Sequence, residues 1–238
     1  MSVKAGLISG GIATFICNPL DIIRVNIQAN NMTSSQAIGF IYKKNGLFGF
    51  YRGVQIGLIT IPTFWSIYFP CYNSIKEYTG IQSLSAYISC NLASTFTSPL
   101  WYIRQKYSTF TSFNLITELK NKNIKQFYSG LSITYMINSN FIFQIPTYEF
   151  LKTKFNSDST YYTFLATAIS KTFATLITYP LDNTRVIARA YPNNITIDNI
   201  RHVVKHKSYY NGILNYLIRS IPYHCIIFCT YEYIISKN

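Results

Sequence analysis

Apolar residues run along this chain in long blocks, with charges gathered at the block ends. Val54 to Ile75 contains no charged residue. As a helix that run is about 33 Å long, enough to cross a bilayer core of about 30 Å. Gly130 to Tyr148 is a second uncharged run of near-spanning length, and Ser220 to Tyr231 is a shorter third, preceded by Arg219. Ala5 to Gln28, Leu84 to Lys106 and Tyr161 to Arg189 are also apolar, but each carries a proline and charges near one end. The pattern predicts six membrane-crossing helices, because charge-free runs of this length are rarely needed in a water-soluble core.

Composition sharpens that picture. Hydrophobic residues make up 49% of the 238 and charged residues only 12%, against roughly 25% in soluble domains. Mean hydropathy is nonetheless only +0.13. That suits helices with one face on lipid and another on a water-filled cavity. Lys and Arg number 21 against 8 acids, a net charge of +13, so an anionic partner is expected: nucleic acid, acidic lipid or an anionic substrate. The five cysteines show neither metal-site nor disulfide spacing. Cys225 and Cys229 read as small packing residues. No cleavable leader is expected at the N-terminus.

Three prolines, Pro19, Pro99 and Pro180, stand 80 and 81 residues apart. Each opens a similar phrase: Pro19-Leu-Asp-Ile-Ile-Arg24, Pro99-Leu-Trp-Tyr-Ile-Arg104 and Pro180-Leu-Asp-Asn-Thr-Arg185. About thirty residues on, each repeat shows Tyr-x-Gly, at Tyr51 to Gly53, Tyr128 to Gly130 and Tyr210 to Gly212. A third phrase follows: Tyr72-Asn-Ser-Ile-Lys76, Tyr148-Glu-Phe-Leu-Lys152 and Tyr231-Glu-Tyr-Ile-Ile235. Each repeat therefore reads as a proline-kinked helix, a basic connector and a second helix. The connectors carry Lys43, Lys44 and Arg52, then Lys120, Lys122 and Lys125, then Arg201, Lys205 and Lys207.

These three phrases, in this order and spacing, resemble the signature of the mitochondrial carrier family over essentially the whole chain. The resemblance implies an all-α membrane protein. Six transmembrane helices would form a threefold pseudo-symmetric bundle with short matrix helices, in repeats 1–80, 81–156 and 157–238. It implies a transporter rather than an enzyme, with no cofactor, working as a monomeric unit. Both termini would face the intermembrane space of the mitochondrial inner membrane, a host's mitochondrion if the source is a parasite or virus.

The proline phrase sets an acid and a base three residues apart on one helix face. By resemblance, three such helices close the matrix end with interhelix ion pairs, Asp21 with Arg104 and Asp182 with Arg24. The third would need an acid at 101, where this chain has Trp101, so a cation–π contact to Arg185 is expected instead. Gln28 would brace the first helix's arginine, whereas Arg189 holds the equivalent place in repeat three and cannot. At the cytoplasmic end the resemblance pairs Glu232 with Lys76. Asn73 leaves Lys152 without its acid and Ile235 leaves Glu149 without its base, so this gate is expected to open easily. Gly53, Gly130 and Gly212 are expected, by the same resemblance, to hold lipid such as cardiolipin through their backbone.

Family substrate contacts fall on the even helices, here at Thr60, Met136 with Ile137, and Arg219. The guanidinium of Arg219 suits bidentate phosphate recognition, and Lys171 is a second candidate cavity cation, unless a neighbouring carbonyl holds it as a structural lysine. Trp101, the stretches Trp65-Ser-Ile-Tyr-Phe69 with Tyr72-Asn73 and Gln144 to Glu149, and Ser170-Lys171 with Tyr179-Pro180 resemble the branch carrying pyrimidine nucleotides, NAD, FAD and folate. Trp65 and Tyr68 could stack on a flat ring. The cargo is therefore expected to be nucleoside or deoxynucleoside di- and triphosphates, with NAD, FAD or folate as the alternative.

A basic, aromatic-rich chain also fits an RNA binder, but such a protein has no use for charge-free runs of spanning length. His202 and His206 are spaced to share a helix face, yet no third metal ligand is evident. No phosphate-binding glycine loop suggests ATP-driven transport.

Overall fold

The computed structural model describes residues 3–109, 120, 123–155, 160–191, 210, 212–219 and 223. Glu232, Cys225, Cys229, His202, His206, Lys122, Arg201, Lys205, Lys207 and most of the Ser220–Tyr231 run lie outside them. Among the described residues every regular element is helical: α1 Val3–Asn30, α2 Ser34–Asn45, a 3₁₀ turn Leu47–Tyr51, α3 Val54–Thr79, α4 Gln82–Thr109, α5 Ile124–Phe127, α6 Leu131–Asn138, α7 Asn140–Phe155 and α8 Thr160–Ala190. Residues 213–219 are helical as well.

Burial is inverted relative to a protein that folds in water. The described interior is rich in small and polar side chains: Asn18, Ser85, Ser89, Thr97, Ser170 and Asn183 are buried. Large apolar ones such as Phe15, Ile59, Phe96 and Phe173 face outward. In water this arrangement forfeits the hydrophobic effect. In lipid, small residues let helices approach closely and the exposed Phe and Ile cost nothing.

Among the described residues one segment, Leu47–Thr79, is long and apolar enough on its own to cross a membrane. The Gly130–Tyr148 charge-free run is divided between α6 and α7 at Ser139, whose N–H reaches back three residues to the Met136 carbonyl at 3.3 Å. The long helices α1, α4 and α8 carry Pro19, Pro99 and Pro180 in their interiors. A proline there removes a backbone donor and bends the helix.

Corresponding positions of successive repeats make corresponding bonds. Just before the proline, Asn18 donates to the Phe50 carbonyl at 2.9 Å, and Ser98 donates to the Phe127 carbonyl at 3.4 Å. Each kink is thereby tied to the residue before its own Tyr-x-Gly. The middle residue of that phrase reaches the next long helix: Arg52 Nε donates to the Tyr107 carbonyl at 3.1 Å, and Ser129 Oγ to the Ala188 carbonyl at 2.7 Å. Tyr107 and Ala188 stand at the same distance beyond Pro99 and Pro180. The glycine closing each phrase has positive φ, at 74° for Gly53, 74° for Gly130 and 77° for Gly212. At Gly53 a side chain would also meet the Arg104 carbonyl at 3.1 Å. Only glycine turns the connector into α3 there without strain.

The connector helix α2 starts with a capping box between Thr33 and Gln36. It lies on the C-terminal half of α1, where Ile22, Ile23 and Ile27 pack on Ala37 and Ile41. A second cluster, Tyr68 with Cys90 and Ala93, joins α3 to α4 and reaches Phe141 of α7.

Candidate functional site

The helices α1, α4 and α8 meet beyond their prolines. Asn26 of α1 donates to the Ser108 carbonyl of α4 at 2.9 Å, and Lys106 of α4 to the Ala190 carbonyl of α8 at 2.8 Å. Gln105 donates to the Val186 carbonyl. Arg24 makes an ion pair and hydrogen bond with Asp182, and Arg104 reaches Asp21 at 3.3 Å. Gln28 lies against the first of these pairs, donating to Asp182 at 3.2 Å and to the Tyr179 hydroxyl at 3.1 Å. Arg24 also sits 4.4 Å from the centre of the Tyr216 ring.

Arg185 and Trp101 do not meet in the expected way. The Trp101 ring lies against Arg104, 5.3 Å away on the same helix. Arg185 turns back onto Asp182, three residues earlier on its own helix. The carboxylate one turn away is within reach of the guanidinium, and the Trp101 ring is already taken by Arg104 of its own helix. One carboxylate therefore serves two arginines.

Above this junction a cavity of about 340 Å³ opens between the helices. Six cations (Arg24, Arg104, Lys171, Arg185, Arg189 and Arg219) and two carboxylates (Asp21 and Asp182) line it, a surplus of four positive charges. Lys171 is held between two neutral amide oxygens of α7, Asn140 Oδ1 at 3.3 Å and Gln144 Oε1 at 3.2 Å. Its ammonium also lies 5.9 Å from the Phe141 ring centre. By helical rise, Lys171 stands about 16 Å above Asp182 along α8.

Arg219 is not a free cavity cation. Its Nε lies 2.9 Å from Asp21 Oδ1. That N–H has no hydrogen-bond acceptor, so the contact is a charge pair rather than an aligned bond. Asp21 thus stands between Arg104 and Arg219.

The remaining predicted contacts separate by helix face. Ile137 is on the cavity wall, while its neighbour Met136 points away and is 53% exposed. Thr60 is fully buried off the wall, its hydroxyl given to the Ile56 carbonyl. The α3 ring on the wall is Phe64, not Trp65, which is 40% exposed and stacked on Phe69. One residue turns a helix by about 100°, and the aromatic run offered no charge to fix its phase. Tyr68 packs inside, stacked between Phe64, Tyr72 and Phe141. Phe64, Phe141 and Tyr216 are the wall aromatics that sequence reasoning missed.

At the far end of the helices, no ion pair among the described residues includes Lys76, Glu149 or Lys152. Lys76 lies over the Tyr72 ring of its own helix at 5.8 Å. Gly130 and Gly212 begin helical segments as Gly53 does.

Kinked helices with an apolar exterior and a polar, charged interior define the class: an all-α membrane protein. The family description "mitochondrial carrier protein" matches residues 1–83 and 156–237. An uncharacterized mitochondrial carrier of Schizosaccharomyces pombe is 26% identical over 96% of this chain and 93% of its own length. Nicotinamide adenine dinucleotide transporter 1, chloroplastic, of Arabidopsis thaliana is 25% identical over 97% and 89%. Solute carrier family 25 member 36-A of Danio rerio is 23% identical over 97% and 95%. The chain belongs to the mitochondrial carrier family. Its members are transporters rather than enzymes. The stretch between the matched segments holds the repeat in which tryptophan replaces the phrase's acid.

Proposed function

We propose that this protein exchanges nucleotides across the mitochondrial inner membrane, nucleoside and deoxynucleoside di- and triphosphates with pyrimidines included. Six helices in three repeats would move by alternating access. The observation that carries this reading is the surplus of four positive charges on a cavity wall that also presents aromatic rings. Lys171 and Arg219 would take phosphates, and the wall ring of Phe141, beside Lys171, would take the base. Ile137 would contact the sugar or base edge. Substrate gradients and membrane potential would drive exchange, with no cofactor.

The ion pairs Asp21–Arg104 and Asp182–Arg24, with Gln28, Trp101 and Arg185 around them, would be the matrix gate. Lys76, Glu149, Lys152 and Glu232 would form the weaker cytoplasmic gate. Gly53, Gly130 and Gly212 would offer backbone N–H groups to lipid phosphates such as those of cardiolipin.

A second reading, NAD as cargo, is favoured by the Arabidopsis thaliana relative named for that dinucleotide. The same cations and rings suit it, because NAD carries two phosphates and two flat rings. The test is uptake of a labelled panel into liposomes holding the purified protein and unlabelled counter-substrate. Nucleoside di- and triphosphates, deoxynucleotides, NAD, folate, keto acids and glycine should be compared. Uptake of nucleotides is expected. Folate, keto-acid or glycine uptake without any nucleotide or NAD uptake would sink the proposal.

A further inference from the structure

The junction of α1, α4 and α8 is short of one negative charge. In the cyclic pattern, the acid two residues beyond each proline holds the arginine five residues beyond the next repeat's proline, the third repeat being followed by the first. Asp182 takes Arg24, and Asp21 takes Arg104. The third member of the cycle would be an acid at position 101 holding Arg185. Trp101 stands there, engaged with Arg104. Arg185 is left to share Asp182 with Arg24, and its Nε is buried with no acceptor.

One turn further along α8, Arg189 adds another uncompensated charge. It is 4% exposed and lines the cavity. Its Nη2 donates to the Thr134 hydroxyl oxygen at 3.2 Å, and its Nε is buried with no acceptor. The Thr134 proton is already given to the Gly130 carbonyl at 2.8 Å, so Thr134 positions Arg189 and offers nothing more. A guanidinium has five N–H groups and needs acceptors for them when buried. Two like charges one turn apart on a helix also repel. No carboxylate among the described residues pairs with Arg189.

We propose that Arg185 and Arg189 form an oxyanion site at the closed end of the cavity, which takes a phosphate group where the third carboxylate would stand. Arg24, Arg185 and Arg189 outnumber Asp182 by two charges. A phosphate group carrying about −1.5 to −2 near neutral pH matches that surplus and offers three acceptor oxygens. The phosphate comes either from free inorganic phosphate or from the end of the cargo. In the second case it is the nucleotide-exchange reading that supplies the ligand. A deep phosphate beside Asp182 competes with it for Arg24, the arginine that holds α1 to α8.

The experiment is thermal unfolding of the purified full chain in detergent, at constant ionic strength, with chloride, inorganic phosphate or a nucleoside triphosphate. Phosphate should raise the midpoint by about 3 °C over chloride. Arg189→Gln should lose most of that rise; glutamine is the residue repeat one carries at this place, Gln28. Trp101→Glu should raise the midpoint without phosphate and abolish the response, because the carboxylate fills the site. A rise with inorganic phosphate alone identifies a free anion as the source. A rise with the triphosphate alone, lost in both variants, identifies the cargo. No oxyanion-dependent rise, or one that survives both substitutions, overturns the proposal. Exchange assays on the same preparation separate the two readings. Nucleotide exchange without an oxyanion response removes this site alone. A phosphate response without nucleotide exchange removes the nucleotide reading and leaves the site.

Discussion

Asp21 is the residue on which the helix junction and the cavity meet. It lies 3.3 Å from Arg104 and 2.9 Å from Arg219, so a cargo phosphate reaching Arg219 must draw it from a carboxylate that also closes the helix junction. Replacing Arg219 with alanine should abolish exchange while the protein still folds; liposome uptake and a thermal midpoint together check both halves. An active variant would remove the main proposed contact. Among the described residues Lys171 has two amide oxygens and the Phe141 ring for partners, and no carboxylate. Lys171→Gln keeps the amide bonding but removes the charge, at about 1.5–3 kcal/mol for a charge-assisted hydrogen bond. KM for an anionic substrate should rise at least about tenfold, with a smaller change in the maximal rate. An unchanged KM would return Lys171 to a purely structural role.

Among the elements, the proline-kinked helices were legible because proline, acid and base recur at fixed intervals. The facing of the even helices was not. Phe64 rather than Trp65 reaches the cavity, and Ile137 rather than Met136. An apolar helix with lipid on one side and rings on the other carries little in its periodicity to set its rotation. The turns into those helices carry the glycine of each Tyr-x-Gly, and its positive φ at Gly53, Gly130 and Gly212 appeared only in the structure. Gly53→Ala should cost about 1–2 kcal/mol in backbone strain, before the close approach to the Arg104 carbonyl is counted. Differential scanning should show a fall in midpoint of about 4 °C or more. Gly57 is packed differently: a side chain there would stand 2.9 Å from Arg104 Nε. Arg104 is flexible and can yield, so Gly57→Val should spare the fold but push Arg104 off Asp21, slowing exchange more than it lowers the midpoint.

At the scale of the whole molecule, one end of the helices is tied by ion pairs and backbone-directed bonds, while Lys76, Glu149 and Lys152 form no ion pair among the described residues. We propose that the two gates are unequal, the ion-paired end holding the more firmly. Asp21→Asn leaves two half-buried guanidiniums without their carboxylate and should slow exchange severely. Glu232→Gln should leave most of the exchange rate intact. Equal slowing of the two variants in the same liposome assay would refute the asymmetry. The inverted burial, with phenylalanines outside and serine and asparagine inside, belongs to this scale too, since a sequence of mixed helices does not say which face meets lipid.

The sequence by itself determined the repeats, their kinks, the missing acid at Trp101 and the excess of basic charge, because each depends on residue type at a fixed spacing. Tertiary structure alone decided which partner each charge takes. Arg185 could reach Trp101 on another helix or Asp182 on its own, and Arg219 could stay free or meet Asp21. The shared carboxylates and the buried Arg189, which has no acid partner among the described residues, arise only when several helices are brought to one point. There the distance between side chains, rather than their order in the chain, sets the electrostatic energy.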